Sequence, residues 1–212
     1  MQPGETVTLF NGKGGEFSAT IERMGRSHVG VIVGRHDPVE REPGRAIHLV
    51  VGMPANERMD WLVEKAAELG AASIQPVIAQ RSVLKLHGER AEKKQAHWQG
   101  VAIASCEQSG RNRVPVVHPI IGLAQWAAAL DGTASRSQAR LLLSLVSQAQ
   151  PLRQAAGSEG EVLVLSGPEG GLTAQEEDMA TALGFQRATL GPRVLRSDTA
   201  PLAALAALTL PG

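Results

Sequence analysis

Residues 162–171 read VLVLSGPEGG, in which four apolar residues lead into a loop with three glycines. A short apolar run bounded by turn residues predicts a strand that is buried on both faces. Thr173 follows the loop and Glu176 stands three residues later, which is the spacing of a capping box at a helix start. A strand, a glycine loop and a capped helix in this order predict a ligand site at the carboxyl end of a parallel strand.

The glycines of this loop do not identify a particular ligand. Their spacing differs from the dinucleotide fingerprint, and no Gly-Lys-Ser/Thr follows as it would in a phosphate-binding loop. Glycine permits close backbone approach and positive φ, so the glycines alone fit a tight turn equally well. Further segments are needed to choose between the two interpretations.

A second segment, residues 190–199, reads LGPRVLRSDT and also lies between a predicted strand and a predicted helix. Gly191-Pro192 predicts a turn. Arg193 and Arg196 then precede the last helix, whose free amides favour an anion, so the two side chains are candidates for holding phosphate or a developing negative charge. The alternative for both arginines is structural ion pairing with Asp198 or Glu169.

Strands and helices alternate from residue 46 to the end, which predicts an α/β domain over residues 46–212 with a parallel sheet covered on both faces. The first 45 residues predict a small β-rich module, with a glycine-rich hairpin turn after its first strand. The predicted strands are Val7–Phe10, Glu16–Glu22, Val29–Val33, Ile47–Val51, Ile74–Ala79, Val114–Val117, Leu141–Val146, Val162–Leu165 and 186–190. The predicted helices are Glu57–Leu69, 89–108, 122–130, Ala174–Leu183 and 200–209, with a loose loop over 147–160.

Charge is balanced, with 21 basic and 21 acidic side chains, so no global field attracts nucleic acid. Residues 81–113 are locally basic, which fits either a solvated helix face or an RNA contact. Cys106 is the only cysteine, so neither an internal disulfide nor a cysteine metal cluster is expected. No leader pattern or long apolar run is present, and a cytoplasmic protein without a membrane span or metal is expected.

Together, Gly167–Gly171 and Leu190–Arg196 resemble the signature of the ribosomal RNA small subunit methyltransferase E family, within the SPOUT superfamily. Three further stretches agree with this resemblance, which runs from about residue 4 to 209: Arg58–Trp61 with Lys65 and Glu68–Gly70; Gln80–Ser82; and Glu107–Pro115. The resemblance implies methylation of N3 of one uridine in 16S rRNA, with S-adenosyl-L-methionine as cofactor. It also implies a trefoil-knotted domain, a homodimer and an N-terminal PUA-like RNA-binding module.

The resemblance also implies site residues. Three loops are expected to bind the adenosine and methionine parts of the cofactor, largely through backbone groups: Leu143, Ser144, Leu165, Ser166, Gly167, Pro168, Gly170, Leu190, Gly191, Val194, Leu195, Arg196 and Thr199. Arg196 is expected to stabilise the uracil anion that forms when N3 loses its proton, and Asp198 either orients Arg196 or accepts that proton. Arg81, Lys85, Arg111, Arg113 and Arg193 are expected to contact RNA. Aromatic residues make up 3% of the chain, so phosphate contacts should outweigh base stacking.

The sequence departs from the family at its beginning, where relatives carry further residues, so the first strands of the PUA-like barrel are expected to be missing. Pro54-Ala55-Asn56 lacks the basic residue often found there, and Pro201 replaces a small residue. Three alternatives stay open: a SPOUT enzyme for another RNA base, a non-catalytic RNA-binding relative, and an α/β nucleotide-binding enzyme. The Glu107–Pro115 stretch disfavours the first, the intact loops the second and the missing phosphate motifs the third.

Overall fold

The N-terminal part of the chain forms a small antiparallel sheet. In the computed structural model, which describes residues 1–55, 57–130, 138–146 and 148–210, this sheet contains three strands in sequential order. They are β1 (Thr6–Leu9), β2 (Glu16–Met24) and β3 (Val29–Asp37). Ala19 and Ile21 of β2 are buried at alternate positions, whereas Ile32 and Val33 of β3 are more than half exposed. The predicted β-rich module is therefore present, and β3 extends four residues further than predicted.

The rest of the chain forms a larger sheet in which every strand pairing is parallel. Its order is β6-β5-β4-β10-β8-β11-β9, with β7 beside β5. The strands are β4 (Ile47–Gly52), β5 (Ser73–Ile78), β6 (Val116–Val117), β7 (Ile121–Gly122), β8 (Gln138–Leu143), β9 (Gln150–Pro151), β10 (Glu161–Ser166) and β11 (Gln186–Thr189).

In the described part of the chain, six helices cover this sheet: α1 (Glu57–Glu68), α2 (Glu89–Ser109), α3 (Leu123–Leu130), α4 (Leu152–Ala156), α5 (Ala174–Ala182) and α6 (Thr199–Thr209). Successive residues of a strand face opposite sides, so Leu49 and Val50 of β4 enter two different cores. Leu49 packs in a cluster with residues of α1, α2 and α6, and Val50 in one with residues of α3 and α5. This arrangement confirms the predicted α/β fold with a parallel sheet.

Two predicted boundaries in the middle of the chain are wrong. The strand predicted over Leu141–Val146 begins earlier and ends at Leu143, because Leu145 and Val146 leave the sheet and lie exposed beyond its carboxyl edge. The loop predicted over 147–160 contains β9 and α4. Leu152 and Ala156 are buried four residues apart on one face of α4, a signal too short to separate from loop composition.

Candidate functional site

Three loops meet beyond the carboxyl ends of β8, β10 and β11 and enclose a cavity of about 700 Å³. Adjacent parallel strands end at the same edge of a sheet, so the loops that follow them converge there. The residues that line the cavity are Arg58, Leu143–Val146, Ser166–Glu169, Gly171, Leu172, Glu177, Ala188, Leu190, Gly191, Arg193–Ser197 and Ala200. The cavity is large enough for a nucleoside-sized ligand.

The loop after β10 is a tight structure that leads into α5. Thr173 and Glu176 form the predicted capping box, in which each side chain bonds the other residue's backbone amide. Gly171 has a φ of +68°, and its amide donates to the carbonyl of Pro168 at 2.8 Å. A Cβ atom on Gly52 would lie only 2.5 Å from Pro168, so the end of β4 supports the loop through direct backbone contact.

Neighbouring loops hold the glycine loop on two sides. A carboxylate oxygen of Glu169 accepts from the amide of Ala55 at 2.9 Å, which joins the loop to the segment before α1. On the other side, the Arg81 guanidinium donates to the carbonyls of Gly170 at 3.0 Å and Leu172 at 3.3 Å. Glu176 also accepts from the amide of Gln80 at 2.8 Å. These contacts set the position of the loop from outside.

The loop between β11 and α6 forms the opposite wall. Gly191 adopts a φ of +109°, and its amide donates to Thr189 Oγ1 at 3.1 Å, which forms the predicted turn. The side chains of Arg193 and Arg196 are exposed at the cavity. The carbonyl of Arg196 accepts from the amides of Thr199 and Ala200 at 3.0 and 2.9 Å, which fixes its backbone at the start of α6.

Asp198 lies behind this wall and does not line the cavity. Its side chain is buried and accepts from Thr199 Oγ1 at 3.3 Å, and it has no ion pair with Arg196 among the described residues. Asp198 occupies the N-cap position of α6, but its side chain accepts no bond from the first amides of the helix. Asp198 therefore has no direct contact with Arg196 through which to orient it, and it does not reach the cavity where it would accept a proton.

Two buried hydroxyls at the cavity have no partner. Ser166 Oγ and Ser197 Oγ make no hydrogen bond within the described part of the chain, and both residues line the cavity. A buried polar atom without a partner costs about 1–3 kcal/mol, so such atoms in a cavity wall are typical of a ligand site. Leu143, Ala188 and Leu190 supply apolar surface beside them. The lining suits a ligand with both an apolar ring and polar groups.

The structure brings most of the predicted cofactor residues together at this cavity. The predicted residues that line it are Leu143, Ser144, Ser166, Gly167, Pro168, Leu190, Gly191, Val194, Leu195 and Arg196. Leu165, Gly170 and Thr199 are not part of the lining: Leu165 is fully buried in the core, and Gly170 lies against Arg81. The sequence reasoning missed Arg58 and Glu177, which come from helices and carry no loop signal.

The basic segment 81–113 is not one RNA-facing surface. Arg111 is buried; it pairs with Glu42 and donates to the carbonyls of Ala67 at 2.6 Å and Ala71 at 3.2 Å. The RNA contact predicted for Arg111 is therefore unsupported, because its guanidinium is buried and already bonds Glu42 and two backbone carbonyls. Lys85 is exposed without an ion pair among the described residues, so its RNA contact stays a prediction.

Residues 111–114 instead join the two sheets. Arg113 pairs with Glu40 at 3.0 Å, and the Asn112 side chain donates to the carbonyl of Val39 at 2.8 Å. Backbone bonds of 3.0 and 3.1 Å link Asn112 and Val114 to the glycine-rich turn between β1 and β2. We refer to these contacts, together with the Arg111–Glu42 pair, as the seam. Arg113 is half exposed, so part of its guanidinium stays accessible.

Residues 40–209 match the family profile of the RNA methyltransferase domain. A curated relative, ribosomal RNA small subunit methyltransferase E of Bacillus subtilis, is 30% identical over 99% of this chain and 83% of its own length. No helix among the described residues has the length and apolar character needed to cross a membrane.

Two solved structures share the fold over 98% of this chain. Ribosomal RNA small subunit methyltransferase E of Neisseria gonorrhoeae, bound to S-adenosyl methionine, is 40% identical, with a TM-score of 0.88 over 83% of its chain. A methyltransferase of Legionella pneumophila in complex with the same cofactor is 36% identical, with a TM-score of 0.89 over 84% of its chain.

Proposed function

Because the chain belongs to the ribosomal RNA small subunit methyltransferase E family of RNA methyltransferases, we propose that it methylates ribosomal RNA of the small subunit with S-adenosyl-L-methionine as methyl donor. We further propose that the acceptor is N3 of one uridine in 16S rRNA. The observation that carries the proposal is the cavity beyond β8, β10 and β11, whose wall presents unpartnered hydroxyls of Ser166 and Ser197 beside apolar side chains.

The chain's own groups fit this cofactor. Apolar side chains from the ends of β8 and β11 offer a surface for an adenine ring, and the two free hydroxyls can bond the polar groups of the ribose or the amino acid part. Leu145 and Val194 flank the mouth on opposite loops. The bound cofactor supplies an electrophilic methyl group on a sulfonium. The protein holds that group in line with the incoming base, and such positioning supplies much of the rate.

Arg196 is the residue we assign to the reacting base. The uracil N3–H must first lose its proton to solvent water, and negative charge then spreads over the ring oxygens. The nitrogen lone pair would form the new N–C bond as the methyl–sulfur bond breaks, which would leave the cofactor as a neutral thioether. A guanidinium stays protonated at any working pH, so Arg196 can stabilise that anion but cannot accept the proton. Asp198 has no direct part in this scheme: it occupies the N-cap position of α6 without a capping bond from its side chain, and its carboxylate accepts from Thr199 Oγ1.

Three features of the assembly belong to the same proposal. The chain works as a homodimer, because exposed apolar side chains at the cavity rim (Leu145, Val146 and Val194) need a cover that a second copy can supply. The last segment threads a trefoil knot: α6 follows β11 in sequence yet packs on β4, β10 and α1 across the sheet. Residues 1–45 form a PUA-like RNA-binding module, and the enzyme acts in the cytoplasm.

The test is to incubate 30S subunits with the protein and methyl-labelled cofactor and to map the modified nucleotides. We expect label at one uridine of 16S rRNA, as 3-methyluridine after digestion. Label at another base of 16S rRNA would support a different SPOUT activity. If no label appears, calorimetry with the cofactor alone identifies a non-catalytic RNA-binding relative, because such a protein gives no heat of binding.

A further inference from the structure

Three arginine side chains surround the mouth of the cavity. Arg58 comes from the first turn of α1, and Arg193 and Arg196 come from the loop before α6. All three are exposed, and within the described ranges none of their guanidinium groups has a hydrogen bond or an ion pair. Three unpaired cations around one cavity repel one another, so their grouping is explained best by an anionic ligand.

The carboxylates at the same cavity are already engaged. Glu169 accepts from the amide of Ala55 at 2.9 Å, and Glu177 accepts from Arg187 at 3.3 Å. Glu177 is offset by Arg187, whereas Glu169 keeps its charge, so three arginines face one uncompensated carboxylate and the net charge at the cavity is positive. The bond between Glu169 and Ala55 also ties the start of α1 to the glycine loop, which places Arg58 beside the cofactor site.

The cofactor does not account for this charge. S-adenosylmethionine has a single carboxylate, which its own ammonium group offsets, and its sulfonium adds a positive charge. One carboxylate in a net cationic ligand does not explain three unpaired arginines. In the proposed function, on which this inference rests, the anion is the second substrate. A nucleotide whose base enters the cavity brings its own phosphates to the mouth, and guanidinium is the side-chain group that binds phosphate best.

We propose that Arg58 and Arg193 form a phosphodiester-binding subsite that holds the RNA backbone beside the target nucleotide, which leaves Arg196 for the base. Arg58 is then a positioning residue of α1 that serves the RNA and not the cofactor. Two phosphate contacts from different elements, α1 and the loop before α6, would fix the register of the strand, and a positioned strand presents a single base to the methyl group.

The experiment compares Arg58→Ala, Arg58→Lys and the wild type in methylation of 30S subunits over a range of salt. We expect Arg58→Ala to raise KM for the subunit about tenfold, to change kcat less, and to lower the slope of log KM against log salt by about 1. Arg58→Lys keeps the charge and should restore the slope. Affinity for S-adenosylmethionine alone, measured by calorimetry, should stay at the wild-type value in both variants.

The control variant is Arg153→Ala, which removes an exposed arginine of α4 that does not line the cavity. It should leave KM and the salt slope unchanged. The subsite is refuted if wild type methylates the subunit and Arg58→Ala does so with the same KM and slope. It is also refuted if Arg58→Ala weakens cofactor binding, since Arg58 then serves the cofactor. Absence of methylation by wild type overturns the proposed function itself.

Discussion

Removing the buried arginine of the seam is expected to destabilise the protein strongly. The side chains of Arg111 and Glu42 are only 7% and 16% exposed, so Arg111→Ala leaves a mostly buried carboxylate without its partner. It also leaves the carbonyls of Ala67 and Ala71 without their guanidinium donor. Breaking a buried pair by removing one partner costs about 3–5 kcal/mol. We expect the lower end, because Glu42 keeps some access to water.

Arg113→Ala is the matched control, because it breaks an ion pair of the same type two residues away. The side chains of Arg113 and Glu40 are 51% and 48% exposed, and an ion pair screened by water in this way contributes far less to the unfolding free energy than a buried one. The assay is urea unfolding followed by circular dichroism, with the free energy of unfolding extrapolated to water. Equal losses of unfolding free energy in the two variants would refute our reasoning, because burial would then have no effect on the cost.

Three further predictions concern the site and the packing of its helices. Arg81→Ala should weaken S-adenosylmethionine binding about tenfold in calorimetry without RNA, since the loop carbonyls of Gly170 and Leu172 lose their donor; a change confined to RNA affinity would contradict this role. Ser166→Ala should also weaken cofactor binding by up to about tenfold, whereas Ser109→Ala, whose hydroxyl already donates to a helix carbonyl at 2.8 Å, should not. Burial acts to raise the pKa of Asp60, but hydrogen bonds from His97 and Trp98 outweigh it and hold that pKa below its ordinary value. The stability that Asp60 contributes is therefore present above its ordinary pKa and is lost as pH falls through the lowered pKa. In Asp60→Asn, the free energy of unfolding should therefore fall less steeply as pH decreases in the acid range.

The sequence was informative wherever one local signal determined the structure. The capping box at Thr173 and Glu176 and the buried strand before it follow from short patterns, and the structure has both. α4 was missed because its single turn offers only Leu152 and Ala156 as signal. Asp198 was expected near Arg196 from adjacency, yet the turn into α6 directs one side chain inward and the other to the cavity.

Contacts between distant segments could not be predicted in this way. Arg58 precedes the glycine loop by more than a hundred residues, and only the parallel order β4-β10 brings the loops after those strands together. The same holds for the unpartnered hydroxyls: a serine in a loop has no sequence signal for whether its Oγ finds a partner. The resemblance supplied most of the cavity residues because it carries such tertiary information indirectly.

The arginines of the basic segment and those of the cavity show why charge counted along a sequence is a poor guide to RNA contacts. Arg81, Arg111 and Arg113 lie in the basic segment, yet their guanidinium groups bond loop carbonyls or seam carboxylates. Arg58 lies before the basic segment, and Arg193 and Arg196 lie after it, in two parts of the chain that each have a net negative charge. These three arginines are nevertheless unpaired in the described structure and share one cavity. A phosphate gains most from a cation that has no other partner. The salt dependence of RNA binding should therefore fall more when Arg58 is removed than when Arg111 is removed.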